Sequence, residues 1–253
     1  MGLFDFLGKK KQDDTGSAAA SRRAPARDVA RLARLAGDKM AQNYDRQEAI
    51  EDLGKQGTSE AAEGLLRRFG FTMEPSITDQ EEKESAAEGI VRAGEEAIEP
   101  IRRYCAKAES LTWALKVLRR IVPEERMVTE LLGLLEQFDT EYLRNPEPKI
   151  QLIAALEEFR SDAVRQAVEP FLGDVNESVR FHAASTLFAV DAAPSIPALI
   201  LAMTEEESLR VKNRIASGIA EKRWTVPEAS RDACDRALPP DFSLEGETLH
   251  RRG

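Results

Sequence analysis

Val179-Arg180-Phe181-His182-Ala183-Ala184-Ser185-Thr186-Leu187 returns at an offset of 32 as Val211-Lys212-Asn213-Arg214-Ile215-Ala216-Ser217-Gly218-Ile219. Apolar, basic, small and apolar positions coincide, and an acidic residue stands six before the basic one each time: Asp174 before Arg180, Glu206 before Lys212. Reading backwards, the same column of a small or apolar residue and an aliphatic one turn later recurs as Leu152/Leu156, Ala114/Leu118, Ala86/Ile90 and Ala49/Leu53. Each column is followed by a second amphipathic segment, at 58–68, 94–107, 123–137, 161–172, 194–203 and 227–238. Spacing of three and four is helical, since those positions share one face of an α-helix. Two helices cannot bury their apolar stripes alone, so such pairs stack and share a core with their neighbours. The expectation is an all-α protein, an α-solenoid of about six helix pairs.

Composition agrees with that reading. The 253 residues are 42% hydrophobic, 32% charged and only 6% aromatic, poor material for a β-sandwich. Two cysteines, Cys105 and Cys234, and two histidines, His182 and His250, exclude a disulfide framework and a Cys/His zinc cluster. No apolar run is long enough to span a bilayer. The net charge of −9 argues against a nucleic-acid binder. That charge is uneven: residues 1–36 carry +4 and the remainder −13.

Residues 27–237 are expected to form the helical array, between an N-terminal segment, 1–26, and a tail, 238–253, that packs loosely. The head joins Leu3, Phe4, Phe6 and Leu7 to Lys9, Lys10 and Lys11. Such a segment suits either an anionic membrane surface or a partner's groove; a frayed terminus is the plain alternative. Met-Gly at the start invites myristoylation, but Phe6 stands where that motif wants Ser or Thr. Residues 12–26 are small and polar, the composition of a flexible linker. The expected location is cytoplasmic, peripheral at the inner face of the membrane if residues 1–11 bind there.

With its acidic and basic columns, Asp174 and Arg180 beside Val179 and Ala183-Ala184, the chain resembles the HEAT repeat, notably the short bacterial form of bilin-lyase-like HEAT proteins. The likeness covers about 45–237 and is plainest in the last two units. It implies a solenoid in which acidic and basic residues of successive repeats form a ladder. Lys149 has Leu143, not an acid, six residues before it, which interrupts that ladder. The tetratricopeptide and ankyrin signatures are absent.

Catalytic chemistry is sparse. Neither Gly-rich phosphate cradle occurs. His182 lies on a packing face, Cys105 has no histidine nearby in sequence, and no His-Glu dipeptide exists for a di-iron centre. No cofactor and no metal are expected. Three arginine pairs, Arg67-Arg68, Arg102-Arg103 and Arg119-Arg120, follow aliphatic residues near helix ends. In HEAT-like solenoids second helices line the concave face, so Arg67, Arg68, Arg102 and Arg103 are candidates for gripping an acidic motif; complementing helix dipoles is the plain alternative. Phe69, Phe71 and Met73 alternate with polar residues and are candidates for an exposed lip, or else an extended linker before the capping box Thr78-Asp79-Gln80-Glu81. The long connection 138–148 is a second natural site for function. The predicted function is a non-catalytic scaffold that binds a protein or peptide; a bilin lyase-like or other ligand-binding HEAT enzyme is the alternative. A helical-repeat DNA glycosylase is disfavoured by the acidic body and by having only Trp113 and Trp224 as tryptophans.

Overall fold

The computed structural model describes residues 28–252, and these are mostly helical. Helix α1 occupies 28–36. There follow α2 (Asn43–Gly54), α3 (Ser59–Leu66), α4 (Ser76–Ala93), α5 (Ile98–Cys105), α6 (Thr112–Ile121), α7 (Glu124–Leu135), α8 (Glu147–Ala155), α9 (Asp162–Val168), α10 (Glu177–Ala189), α11 (Ile196–Glu205), α12 (Leu209–Lys222) and α13 (Glu228–Ala237). Short 3₁₀ turns extend several of these ends, including Arg67–Gly70 after α3 and Glu169–Gly173 after α9. Residues 1–11, with Leu3, Phe4, Phe6, Leu7 and Lys9 to Lys11, and the linker 12–26 lie outside the described residues.

The helices start where side chains satisfy free backbone N–H groups. Thr58 accepts from the Ala61 N–H, Ser161 from Val164, Asn176 from Val179 and Ser208 from Val211. Every predicted column is interior: Ala49, Leu53, Ala86, Ile90, Ala114, Leu118, Leu152, Leu156, Ala183, Leu187, Ile215 and Ile219 are all buried.

The chain divides into two compact units at Ala93/Gly94, inside the stretch expected to be one array. Gly94 has φ +57, a conformation that ends α4 and that glycine adopts without strain. In the first unit α2 packs on α3 and α4, and α3 on α4. In the second, α8, α10 and α12 pack in succession, while α7 packs on α9, and α11 on the Glu169–Gly173 turn and on α13.

A ladder of ions recurs inside the units. Arg46 donates to the Asp38 and Ala41 carbonyls and pairs with Glu82 at 2.7 Å. Lys149 donates to the Asp139 and Glu141 carbonyls and pairs with Asp174 at 2.6 Å. Arg180 donates to the Asp174 and Val175 carbonyls and pairs with Glu206 at 2.6 Å. In all three, a helix cation ties the loop before its own helix to a carboxylate further along the chain. Lys149 makes these contacts with Leu143, not an acid, six residues before it, because its nearby acceptors are the Asp139 and Glu141 carbonyls.

The tail departs from expectation. Strands β1 (Phe242–Glu245) and β2 (Thr248–Arg251) form an antiparallel hairpin with Glu245 opposite Thr248. Gly246, with φ +63, makes the tight turn. Phe242 and Leu249 are buried, and the Glu247 carbonyl accepts from the Val226 N–H at 2.8 Å, so the segment is docked on α12 and α13.

Candidate groove in the second unit

Of the four arginines proposed for binding acidic partners, Arg68, Arg102 and Arg103 are already engaged. Arg68 is completely buried: it pairs with Asp79 at 2.6 Å and Glu82 at 2.7 Å, and its guanidinium lies over the Phe71 ring at 4.4 Å. Phe69 is buried and Phe71 and Met73 are half-buried, with Met73 sulfur accepting from Arg46 at 2.9 Å. No exposed lip exists there, because a buried cation pair needs an aromatic face and polar acceptors around it. Asp79 belongs to that network and not to a capping box; α4 starts earlier, at Ser76. Burial works against the Asp79 charge, yet hydrogen bonds from Lys83 and Arg68 outweigh it and hold the carboxyl below its ordinary value. Arg67 is exposed.

In the second unit, Arg102 is held by both Glu130 oxygens, at 2.9 Å each, and by Glu99; Arg103 shares Glu99 at 3.7 Å. The Glu130 hydrogen bond fixes the Arg102 charge more firmly than usual. Arg119 pairs with Glu158. These side chains close ion pairs along the helices and present no bare basic stripe. Cys105 is equally unsuited to chemistry, since burial pushes its thiol up to about 12 and leaves no thiolate at neutral pH. His182 is half-buried and packs edge-on against Phe181. Among the described residues no group of His, Cys, Asp and Glu could hold a metal ion.

This unit does carry two adjoining open grooves that share Pro170. The first, about 620 Å³, runs between α7 and α9; the second, about 670 Å³, runs between the Glu169–Gly173 turn and α11. Helical periodicity builds both walls. Ala163, Gln166, Ala167 and Pro170 fall at spacings of three and four on one face, as do Ala198, Leu201, Ala202 and Glu205 on α11. Pro170 lacks an N–H and its ring clashes with the carbonyl four residues back, so α9 stops after Val168 and continues as a 3₁₀ turn. That turn buries Phe171 and Leu172 and leaves Pro170 at the seam.

The first groove is mainly apolar, with Leu132, Leu135, Phe138 and Ala167 against the acids Glu136 and Asp139. The second adds Leu201, 58% exposed, and Val175, 55% exposed, beside the run Glu205-Glu206-Glu207. Burial opposes ionisation of Glu206, but hydrogen bonds from Arg180 and the Ser208 N–H hold it below its ordinary value. The same pairing keeps Arg180 firmly protonated. Asp174 is taken by Lys149 and Glu169 by Arg165. Glu205 and Glu207 carry no ion-pair partner among the described residues and are exposed. The pair of grooves is thus a partly apolar trough with exposed acids in both parts, Glu136 and Asp139 in the first and Glu205 and Glu207 in the second.

The connection 138–148 does reach this site: Phe138, Asp139 and Thr140 line the first groove, and the Thr140 carbonyl accepts from the Val175 N–H at 3.1 Å. The trough itself was missed. Its signal was the segment Ile196–Met203, IPALILAM, which is apolar on every side and so leaves one face without a core to cover it.

The described residues are thus mostly helical, with one two-stranded hairpin, and the second unit carries two adjoining open grooves. No protein-family profile matches the chain, and no curated protein matches it. A solved structure from work on the computational design of self-assembling cyclic protein homooligomers aligns with 17% identity and a TM-score of 0.17, over 87% of this chain and 74% of that one. A likeness of that size carries no argument. No helix among the described residues is long and apolar enough to cross a membrane.

Proposed function

We propose that the protein is a non-catalytic helical-repeat scaffold of HEAT-like, solenoidal type, and that it holds a peptide segment with apolar and basic residues in the trough of its second unit. The observation that carries this reading is the exposed Leu201 and Val175 flanked by the unpartnered carboxylates Glu205 and Glu207. The succession α8, α10, α12 and the ladder of Lys149, Asp174, Arg180 and Glu206 support the solenoidal part. The chemistry of the partner is the reverse of the acidic motif expected from the arginine pairs.

Magnitudes assign the roles. Burying a large aliphatic side chain contributes about 1.5–3 kcal/mol. An exposed ion pair contributes about 0.2–1 kcal/mol. Leu201, Val175 and Phe138 therefore supply most of the affinity, while Glu205 and Glu207 select the direction of the bound segment and its basic end. A fluorescent peptide of two Leu-Phe pairs followed by three lysines, titrated into the full chain, tests this by anisotropy. Charge reversal by Glu205→Lys with Glu207→Lys is expected to weaken binding about tenfold, and Arg102→Glu with Arg103→Glu to leave it unchanged. The opposite outcome would return the site to the arginines.

A further inference from the structure

Arg214 on α12 breaks a pattern that the other interior arginines keep. Among the described residues, Arg46, Arg68, Arg126, Arg165, Arg180 and Arg231 are the other buried or half-buried arginines, and each closes a salt bridge. Arg214 is half-buried and meets no carboxylate among the described residues. Its Nε donates to the Ser185 Oγ of α10 at 2.9 Å, and its guanidinium lies over the Phe188 ring at 5.0 Å. Those contacts hold the plane of the fork and leave its terminal nitrogens as donors without an acceptor. A cation withdrawn from water and not paired is unfavourable, so the arrangement calls for an anion. One turn earlier, Arg210 is held in the same manner over the Phe181 ring of α10, at 3.9 Å. Its carboxylate, Glu177, stands off at 3.6 Å, and the same oxygen accepts from the Ser208 hydroxyl at 2.8 Å. Arg210 and Arg214 are four residues apart on one helical face, where like charges repel. Arg210 is also in the first turn of α12, the end at which the helix dipole disfavours a cation.

From these contacts we infer a second recognition site, independent of the trough: the crease between α10 and α12 receives an acidic peptide segment, whose carboxylates pair with Arg214 and Arg210. A carboxylate matches the guanidinium fork with two parallel hydrogen bonds. Ser185 strengthens the fit, because its oxygen accepts from Arg214 while its own proton is left to donate to the same carboxylate. Four residues of helix rise about 6 Å, close to the spacing of alternate side chains on an extended strand, so the segment that fits places its acids at alternate positions. Charge separates this occupant from a nucleic acid. Residues 37–253 sum to −13, which repels a long polyanion, whereas one short segment meets only the local cations Arg210 and Arg214.

The test titrates a fluorescein-labelled Glu-Ser-Glu-Ser-Glu peptide into the full chain at low salt and follows its anisotropy. The same peptide with glutamines, and an oligothymidylate, are titrated beside it. The glutamate peptide is expected to bind and the other two not. Arg214→Gln is expected to weaken binding about tenfold and Arg210→Gln about threefold, the effects of losing a charge-assisted fork and a more exposed contact. Arg214→Lys keeps the charge but loses the fork, and is expected to stay about threefold or more below the unmodified chain. Arg102→Gln removes a charge elsewhere in the same unit and is expected to change nothing. Circular dichroism checks that each variant folds. If Arg214→Gln does not, Arg210→Gln combined with Ser185→Ala carries the test, with a loss of about tenfold expected. No binding by the unmodified chain would overturn the assignment, as would equal binding of the glutamine peptide. Equal weakening by Arg102→Gln, or full affinity in Arg214→Lys, would do the same by reducing the site to general charge attraction. Oligothymidylate bound through Arg214 in preference to the peptide would also overturn it, in favour of a nucleic-acid contact.

Discussion

Glu82, 2% exposed, stands between two guanidiniums that are wholly buried, Arg46 and Arg68, at 2.7 Å from each. Removing it leaves buried Arg46 without a carboxylate and Arg68 with Asp79 alone. Glu82→Ala is therefore expected to destabilise the protein by about 3–5 kcal/mol. Arg119→Ala, which breaks the solvent-exposed pair with Glu158, should cost less than about 1 kcal/mol. Denaturant melts of the two variants check the contrast; equal effects would mean that the buried network is not held together by charge. Glu206 and Asp79 set the pH response. Their folded-state carboxyls ionise below the ordinary values of 4.5 and 3.8, so the stability they contribute is complete above those values. It is lost as pH falls through the lower folded values. The melting temperature of Glu206→Gln should accordingly fall less than that of the unmodified chain between about pH 5 and pH 3. Parallel acid limbs would remove Glu206 as a source of the slope.

At the scale of helices, the close crossing of α2 and α4 depends on two glycines. A Cβ on Gly89 would stand 2.7 Å from the Leu65 Cδ1 and 2.8 Å from the Gly54 Cα. The backbone neighbour cannot swing aside as a side chain does. Gly89→Ala is expected to cost about 1–3 kcal/mol by overpacking, in spite of alanine's better helix propensity, and thermal unfolding measures it. Elements of this kind were legible to different degrees. The small–aliphatic columns from Ala49/Leu53 to Ile215/Ile219 announced their burial because a period of four marks one helical face. The segments at 58–68, 123–137 and 227–238 correspond to α3 with its 3₁₀ extension, α7 and α13. The hairpin of β1 and β2 was not legible. Its strands have four residues each, too few for alternation to stand out, and Pro239-Pro240 dominated the reading of the tail.

For the whole molecule, local sequence did not reveal which arginines are free. Arg67-Arg68 and Arg102-Arg103 look alike as dipeptides, yet Arg68 is an interior cation and Arg102 is clasped by Glu130. Whether an arginine is free depends on a carboxylate 14 residues away in one case and 28 in the other, which no local motif records. The trough was hidden for the same reason, since its walls come from α7, α9 and α11, three separate segments that only folding brings side by side. The −9 of the chain is the sum of +4 in residues 1–36 and −13 in the remainder. The most direct measurement of this account is hydrogen–deuterium exchange of the full chain with and without a saturating apolar–basic peptide. Changes in protection are predicted within 132–140, 163–172 and 198–207. A footprint at 67–73 or 99–107 instead, or none at all, would contradict the assignment of the trough as the binding site.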